Sequence, residues 1–248
     1  MSVAGRVVLV TGASSGLGAV FARALAASGA RVVAGARRID RIEQLVARIR
    51  AGGGEAHGCA IDVSDPVSVA QAFDRAERLA GPVTAVLANA GMTNDGLALE
   101  LDADRFRAVL DTNVTGVFLT MREAARRIVA RGDEGRMVAI ASVLAEKVVP
   151  GVAPYAASKA AVVQLARALA LEWAPHGIGV NSVSPGYIRT DINQAFFDSR
   201  AGERLVRGFP RKRLMQPDDL VPLVTLLLSD GASAITGADF TVDDGQTL

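Results

Sequence analysis

RVVLVTGASSGLGAVFARALAASGARVVAGARR, Arg6 to Arg38, is the stretch whose reading decides the fold. Its first six residues are a β-branched apolar run that stops at Gly12, as a strand buried on both faces does. A glycine-rich turn follows, then a helical apolar pattern that closes at Gly29. A second apolar run, Arg31 to Gly35, completes a strand–helix–strand unit. That unit builds parallel sheets, because parallel neighbours need a crossover of a dozen residues or more, usually a helix.

The same alternation continues along the chain. DRIEQLVARIR (Asp40–Arg50) reads as a helix opened by Asp40 and Glu43 in the arrangement of a capping box. AHGCAI leads to Asp62, and a helix opens at Pro66, a favourable first helical position. VTAVLANAG is a fourth strand, about 104–130 is a long helical region, RMVAIAS is a fifth strand and IGVNSVSPG a sixth. APYAASKAAVVQLARALALEWA, Ala153 to Ala174, is the helix between the last two. After Thr190 a polar, mixed stretch runs to Pro217, and a helix and the short strand ADFTVD close the chain. The pattern predicts an α/β fold: one doubly wound domain over residues 1–248, its parallel sheet covered by helices on both faces.

Composition narrows the function classes. Twenty-seven basic against 26 acidic residues leave a net charge of +1, with no electrostatic footprint for nucleic acid. The one basic run, Arg211–Lys212–Arg213, reads as a solvated turn. A single cysteine, Cys59, allows no intrachain disulfide, and with His57 and His176 it is too small a set for a Cys/His metal cluster. No signal-peptide pattern and no apolar run of about 18 residues is present, so a cytoplasmic protein off the membrane is expected.

In doubly wound sheets ligands bind beyond the carboxyl ends of the strands, so the residues there matter most. Strand one ends in TGASSGLG, where Gly12, Ser14, Ser15, Gly16, Leu17 and Gly18 form a strand-to-helix loop that can bring backbone N–H groups and a helix N-terminus to a pyrophosphate. Strand two ends in Ala36, where a site selective for NAD carries an acid, followed by Arg37 and Arg38. Guanidinium groups suit a 2′-phosphate, so NADP(H) is expected over NAD(H), with one of the two arginines left solvent-exposed as an alternative. Asp40 is explained by a helix N-cap, and Asp62, next to Val63, either accepts from an adenine amine or caps the next helix. Asn89, Ala90 and Gly91 end strand four, where backbone can meet ligand.

Tyr155 and Lys159 stand one turn apart on one helical face. Ser142 ends strand five, and Asn113 lies in the preceding helical region. A phenol serves as a general acid only if its pKa drops by roughly 3 units, about 4 kcal/mol. One cation about 4 Å away supplies ~4 kcal/mol at an effective dielectric of 20. The lysine is therefore expected to supply much of the shift that makes the phenol acidic, helped by the positive charge of an oxidised nicotinamide.

TGASSGLG, NAG, Asn113, Ser142, YAASK and SPGYIRT, in this order, resemble the short-chain dehydrogenase/reductase family, and the similarity runs on to ITGADFTVDDG. The resemblance implies a seven-stranded parallel sheet of the Rossmann type. It implies Tyr155 as proton donor and acceptor, Lys159 lowering its pKa and bonding the nicotinamide ribose, Ser142 polarising a carbonyl, and Asn113 holding a water that links Lys159 to solvent. Pro185, Gly186, Ile188 and Thr190 would line the nicotinamide, with the Ile188 N–H and Thr190 hydroxyl near its carboxamide. A homotetramer with the two long helices at one interface is expected. The reading is an NADP(H)-dependent ketone reductase or alcohol dehydrogenase. Its substrate, a small carbonyl or alcohol, would touch Ser142, Leu144, Tyr155, Tyr187 and Phe197 beneath a lid at about 190–217. Phe196 and Phe197 equally suit packing within the lid. Sugar-acid dehydrogenases and acyl-carrier-protein reductases are alternatives. The second would favour a basic docking patch around Arg126, Arg127, Arg131 and the lid arginines. A sensor that binds NADP(H) without turnover is disfavoured by the intact Ser142, Tyr155 and Lys159. The chain departs from the family at Asp244, where relatives carry glycine, and at Lys147, which is read as a surface lysine.

Overall fold

A computed structural model describes residues 2–190 and 193–248. Seven parallel strands form one sheet in the order β3-β2-β1-β4-β5-β6-β7: β1 Val7–Thr11, β2 Arg31–Ala36, β3 Glu55–Ala60, β4 Ala85–Ala88, β5 Gly135–Ile140, β6 Ile178–Pro185 and β7 Asp239–Val242. The helices are α1 Gly16–Ala27, α2 Ile39–Ala51, α3 Pro66–Ala80, α4 Ala103–Leu110, α5 Gly116–Arg131, α6 Ala153–Trp173, α7 Gln194–Phe197, α8 Arg200–Gly208 and α9 Val221–Leu227. The expected parallel sheet with helices on both faces is the one found.

Strand alternation sorts the core into two layers. Val7 and Leu9 face a cluster with Phe73, Met121 and Val162 of α3, α5 and α6. Val8 and Val10 face Phe21, Leu45 and Leu227 of α1, α2 and α9. Phe21 and Phe73 are fully buried, each contributing about 1.5–3 kcal/mol relative to an exposed ring. Cys59 of β3 is buried as well, and desolvation pushes its thiol up to about 12. Arg50 and Arg75 donate to the carbonyls of Ala56 and Gly58, covering part of the β3 edge.

Three local expectations change. Asp40 caps nothing: α2 starts at Ile39, its N-cap is Arg38 without a side-chain bond, and Asp40 sits inside the first turn. The carboxylate favours that turn through the helix dipole alone. Asp62 does not cap α3 either. Asp65 does, its Oδ1 accepting from Val67 N at 2.9 Å, ahead of Pro66 at the first helical position. The long helical region is broken by a π turn, Asp111–Thr115, between α4 and α5. Gly116, just after that turn, packs so tightly on Val63 that a Cβ would lie 2.6 Å from its Cγ2.

Candidate active site

The strand order reverses between β1 and β4, which opens the crevice of a doubly wound sheet. The two loops there are tied together. Thr11 Oγ1 accepts from the backbone N–H of Asn89 and of Ala90, both at 3.1 Å, and the Asn89 amide donates to the carbonyls of Thr11 and Gly12 at 3.0 and 3.4 Å. Asn89 thus spends its amide on the glycine loop and acts as a brace for it. Gly18 is needed for this closeness: a Cβ there would lie 2.5 Å from Gly12 O and 2.6 Å from Asn89 Nδ2. Gly16 has φ 53 and open space around it, so its constraint is conformational. Ser15 is the N-cap of α1 but makes no side-chain cap bond, and the first turn holds no acid. The first-turn amides therefore keep their donor capacity and the helix field is unopposed.

Arg37 and Arg38 part company. Arg38 Nη2 donates to Ser14 Oγ and Ser15 Oγ, both at 2.8 Å, and Arg38 Nε lies 3.2 Å from Ser14 Oγ. Arg37 has a side chain 75% exposed and reaches Asp62 Oδ2 only at 4.0 Å. Asp62 is itself engaged by Ser64, whose hydroxyl and N–H donate to Oδ1 at 2.6 and 3.1 Å. Those bonds, opposed by desolvation and aided by Arg37, hold its carboxyl below the usual carboxylate range. A guanidinium fixed on two loop serines beside uncapped helix amides is a donor set suited to a phosphorylated dinucleotide.

At the end of β5, Ser142 caps a short 3₁₀ turn, Val143–Ala145, by accepting from Leu144 N at 3.1 Å. Tyr155, half-buried in the first turn of α6, is close enough for the Ser142 hydroxyl to act on its phenol. Lys159 lies one turn on, buried, with Nζ 5.5 Å from the Tyr155 ring centroid. Ser142, Tyr155 and Lys159 thus come together as expected, but the electrostatics differ. Desolvation pushes the phenol above its ordinary value, and the Ser142 hydrogen bond only partly opposes this. Lys159 donates to Ile140 O at 2.7 Å, and burial lowers its own pKa to about 8. The ammonium is aimed at a backbone carbonyl, so the expected acidic phenol is not produced by the protein's own groups.

Asn113 sits in the π turn, fully buried. Its Oδ1 accepts from Met92 N at 2.8 Å, and its amide donates to Met92 O and Ser158 Oγ, both at 2.9 Å. The Ser158 hydroxyl passes on to Tyr155 O at 2.7 Å. Gly91 separates the two polar groups: a Cβ there would stand 3.4 Å from Asn113 Oδ1 and 3.7 Å from Lys159 Nζ. The side-chain donors expected to hold a water are spent on protein, and Ser158 joins the network without having been expected there. Its i+3 spacing from Tyr155 was the available signal.

The lid expectation covers Asp191 and Ile192, which lie outside the described residues; α7 and α8 lie within the rest. Phe197 was expected to meet substrate, yet it is 4% exposed. It packs edge-on against Tyr187 and Phe196, with centroids 6.3 and 5.2 Å away. Tyr187 in turn stacks on Phe209 at 5.4 Å. Both rings serve the lid's own apolar base, while Phe196 is the exposed one. Leu144 is half-buried beside Ser142, and Lys147 is exposed. Pro185 ends β6 against Val242. Gly186 lies against the C-terminal turn, where a Cβ would come within 2.8 Å of Asp243 Cα. Ile188 is buried and bridges to Met215, and Thr190 N donates to Asn193 Oδ1 at 2.8 Å.

Arg126, Arg127 and Arg131, where a carrier-protein substrate would favour a basic docking patch, are matched by acids. Arg127 pairs with Asp74, Glu77 and Glu123 at 2.7–2.9 Å, Arg131 with Glu77 and Asp133, and Arg126 with Glu123. The run expected to be a solvated turn is matched too: Arg211 and Arg213 bind the two oxygens of Asp244 at 2.6 and 2.7 Å. Among the described residues, no group of three or more His, Cys, Asp or Glu could hold a metal ion, and no helix is long and apolar enough to cross a membrane.

Comparison with known proteins agrees with this arrangement. A family model described as enoyl-(acyl carrier protein) reductase matches residues 12–247. The chain is 34% identical over 244 residues to the D-threitol dehydrogenase of Mycolicibacterium smegmatis, covering 98% of this chain and 94% of the relative. It is 36% identical over 245 residues to a 3-oxoacyl-[acyl-carrier-protein] reductase of a Synechocystis species, covering 98% and 97%. The crystal structure of a gluconate 5-dehydrogenase from Burkholderia cenocepacia, in complex with NADP and tartrate, superposes with a TM-score of 0.94 at 33% identity over 99% of this chain and 96% of that one. Glycine loop, sheet order and whole-length similarity thus lead to one conclusion: the chain belongs to the short-chain dehydrogenase/reductase family of oxidoreductases, acting on CH–OH or ketone groups.

Proposed function

We propose that this protein is an NADP(H)-dependent oxidoreductase that interconverts a ketone and a secondary alcohol, with Tyr155 as the acid/base. The observation that carries the reading is the meeting of Ser142, Tyr155 and Lys159 at the same carboxyl end of the sheet as the glycine loop. The dinucleotide, when bound, supplies or accepts the hydride. Gly12, Ser14, Ser15, Gly16, Leu17 and Gly18 would hold its phosphates and Arg38 its 2′-phosphate. Asp62, Val63 and the Asn89–Gly91 backbone would border the adenine half, and Pro185, Gly186, Ile188 and Thr190 the nicotinamide half. Ser142 donates a hydrogen bond to the substrate oxygen, and Tyr155 delivers the proton to that oxygen on reduction and removes it on oxidation. Because burial opposes phenolate formation, the proton is well held until a further cation or hydrogen bond lowers its pKa. Lys159, with a pKa near 8, stays mostly charged at neutral pH and supplies part of that field once turned from Ile140 O. Asn113 and Ser158 hold the start of α6 and with it the phenol. Asn113 would contribute its main chain, in place of its spent amide, to a water relay.

The chain acts as a single domain over 1–248, with a substrate lid at about 190–217, in the cytoplasm. Homotetramer assembly through α5 and α6 fits the exposed Val129 and Leu171 on those helices. A free polyol, sugar acid or simple ketone is favoured as substrate over an acyl group on a carrier protein, because Arg126, Arg127 and Arg131 are paired with acids. The test is a panel of ketones, keto-acids, polyols, sugar acids and a 3-oxoacyl thioester, each with NADPH, NADH, NADP+ or NAD+, followed by absorbance. Turnover of a free carbonyl or alcohol with the phosphorylated cofactor is expected. Tyr155→Phe should abolish it and leave NADPH binding within about twofold, and an active Tyr155→Phe protein would end the assignment.

A further inference from the structure

Among the described residues, only two non-glycine residues have positive φ, Lys212 at 50° and Asp244 at 55°. They stand 32 positions apart in sequence, yet the residues flanking Lys212 bond Asp244. Asp244 receives Arg211 Nη1 on one oxygen and Arg213 Nε on the other, the two neighbours of Lys212. Its carboxylate is only 10% exposed, against 64% and 45% for the arginine side chains. Strained backbone on both sides of one ion-pair clamp persists only where surrounding contacts over-determine it.

The neighbouring residue pair completes a frame. Gln246 Oε1 accepts from Tyr187 N at 2.6 Å, and its Nε2 donates to Tyr187 O and Arg213 O at 3.2 and 3.3 Å. Asp243 locks the turn itself, accepting from Gly245 N and Thr247 N at 2.9 and 3.0 Å. Tyr187 is where the chain leaves the sheet for the lid, and Arg211–Arg213 is where it returns. The C-terminal turn therefore grips both feet of the segment that carries α7 and α8.

We propose that Asp244, working with Gln246, is a positioning residue that fixes the lid's returning foot and so sets the closed geometry over the carbonyl substrate. This rests on reading 190–217 as a substrate lid. The Asp244 carboxylate bonds the returning foot, Arg211 and Arg213, while the Pro185–Thr190 segment read as bordering the nicotinamide is held by Gln246, so substitution of Asp244 falls on substrate and spares cofactor.

The experiment uses the full chain with Asp244→Asn, which keeps the size and the tolerance of positive φ but removes the charge, and Asp244→Gly, which also relieves the backbone. Two readouts are taken: hydrogen exchange of peptides spanning 194–213, and KM and kcat for the best carbonyl substrate and for NADPH. Faster exchange across 194–213 in both variants is expected. KM for the carbonyl should rise by about tenfold, within the range that remote misplacement of substrate produces, while KM for NADPH stays within about twofold. Asp244→Gly should keep the wild-type melting temperature, which separates lid geometry from fold stability. Unchanged exchange overturns the proposal, whatever the activity. Faster exchange with an unchanged carbonyl KM also overturns it, since the clamp would then be structural only. If the wild-type protein turns over no carbonyl or alcohol, the functional assignment falls, and the exchange result alone decides whether Asp244 holds the lid.

Discussion

Removal of the Arg38 guanidinium is the sharpest test of cofactor choice. Nε and Nη2 are committed to Ser14 and Ser15. The two N–H groups of Nη1 remain for a 2′-phosphate, out of the five donors a guanidinium carries. A charge-assisted hydrogen bond is worth about 1.5–3 kcal/mol when sheltered, and exposure of Arg38 calls for a discount to about 1 kcal/mol each. Two such bonds give about 2 kcal/mol, or about thirtyfold in affinity. NADH lacks the phosphate and has nothing to lose there. Arg37, being 75% exposed and only 4.0 Å from a carboxylate, should be worth about twofold. Dissociation constants of NADPH and NADH, measured by calorimetric titration for the wild type, Arg38→Ala and Arg37→Ala at low and moderate salt, resolve these values. Arg38→Ala should weaken NADPH by about thirtyfold and NADH by less than about twofold. Arg38→Lys should recover little, because a point-like ammonium cannot bridge two hydroxyls and a phosphate in one plane. Equal loss of both cofactors would mean that Arg38 merely orders the loop, and a larger effect at Arg37 would reverse the assignment. Either result refutes the reasoning.

Lys159 makes stability depend on pH. Its folded pKa of about 8 lies below the unfolded ~10.4, so between these values the unfolded chain holds more protons and stability rises with pH. The penalty, about 3 kcal/mol, is full below pH 8 and relieved by about pH 10.4. The wild type should gain on Lys159→Met by about that amount between pH 7 and 10 in urea denaturation, and a constant gap would contradict a buried charged amine. Gly18→Ala, meeting Gly12 O at 2.5 Å, should cost about 2 kcal/mol and weaken both dinucleotides. Gly16→Ala enters open space and should cost about 1 kcal/mol of backbone strain, so the reverse order in melting curves would show that the loop is not packed this way.

Strands and sheet class are legible in the sequence because burial on both faces forces continuous apolar runs, as in Val7–Thr11 and Ile178–Pro185. The site's residue types are legible for a related reason: they cluster where those runs stop. Pairings between distant segments are not legible. Arg37 and Arg38 look alike until strand register sets one beside Ser14 and Ser15, 23 to 24 positions earlier. The Asp244 clamp spans 31 to 33 positions, so Arg211 and Arg213 read as solvated charge. Phe196 and Phe197 differ only in which way a four-residue helix turns them. Asp65, immediately before Pro66, carries a readable cap signal. The direction of the ammonium is not legible either: spacing fixes which helical face Lys159 shares with Tyr155, whereas the carbonyl of Ile140 fixes where its ammonium points.

Cys59 has a consequence for handling and for measurement. A lone thiol held at about 12 inside β3 presents almost no thiolate at neutral pH, so peroxide and alkylating reagents find no nucleophile while the strand stays paired. The chain can form no sulfur-linked dimer without first losing that edge of the sheet. Labelling at this one atom is therefore a native clock for the opening of the β2–β3 margin, with no probe introduced.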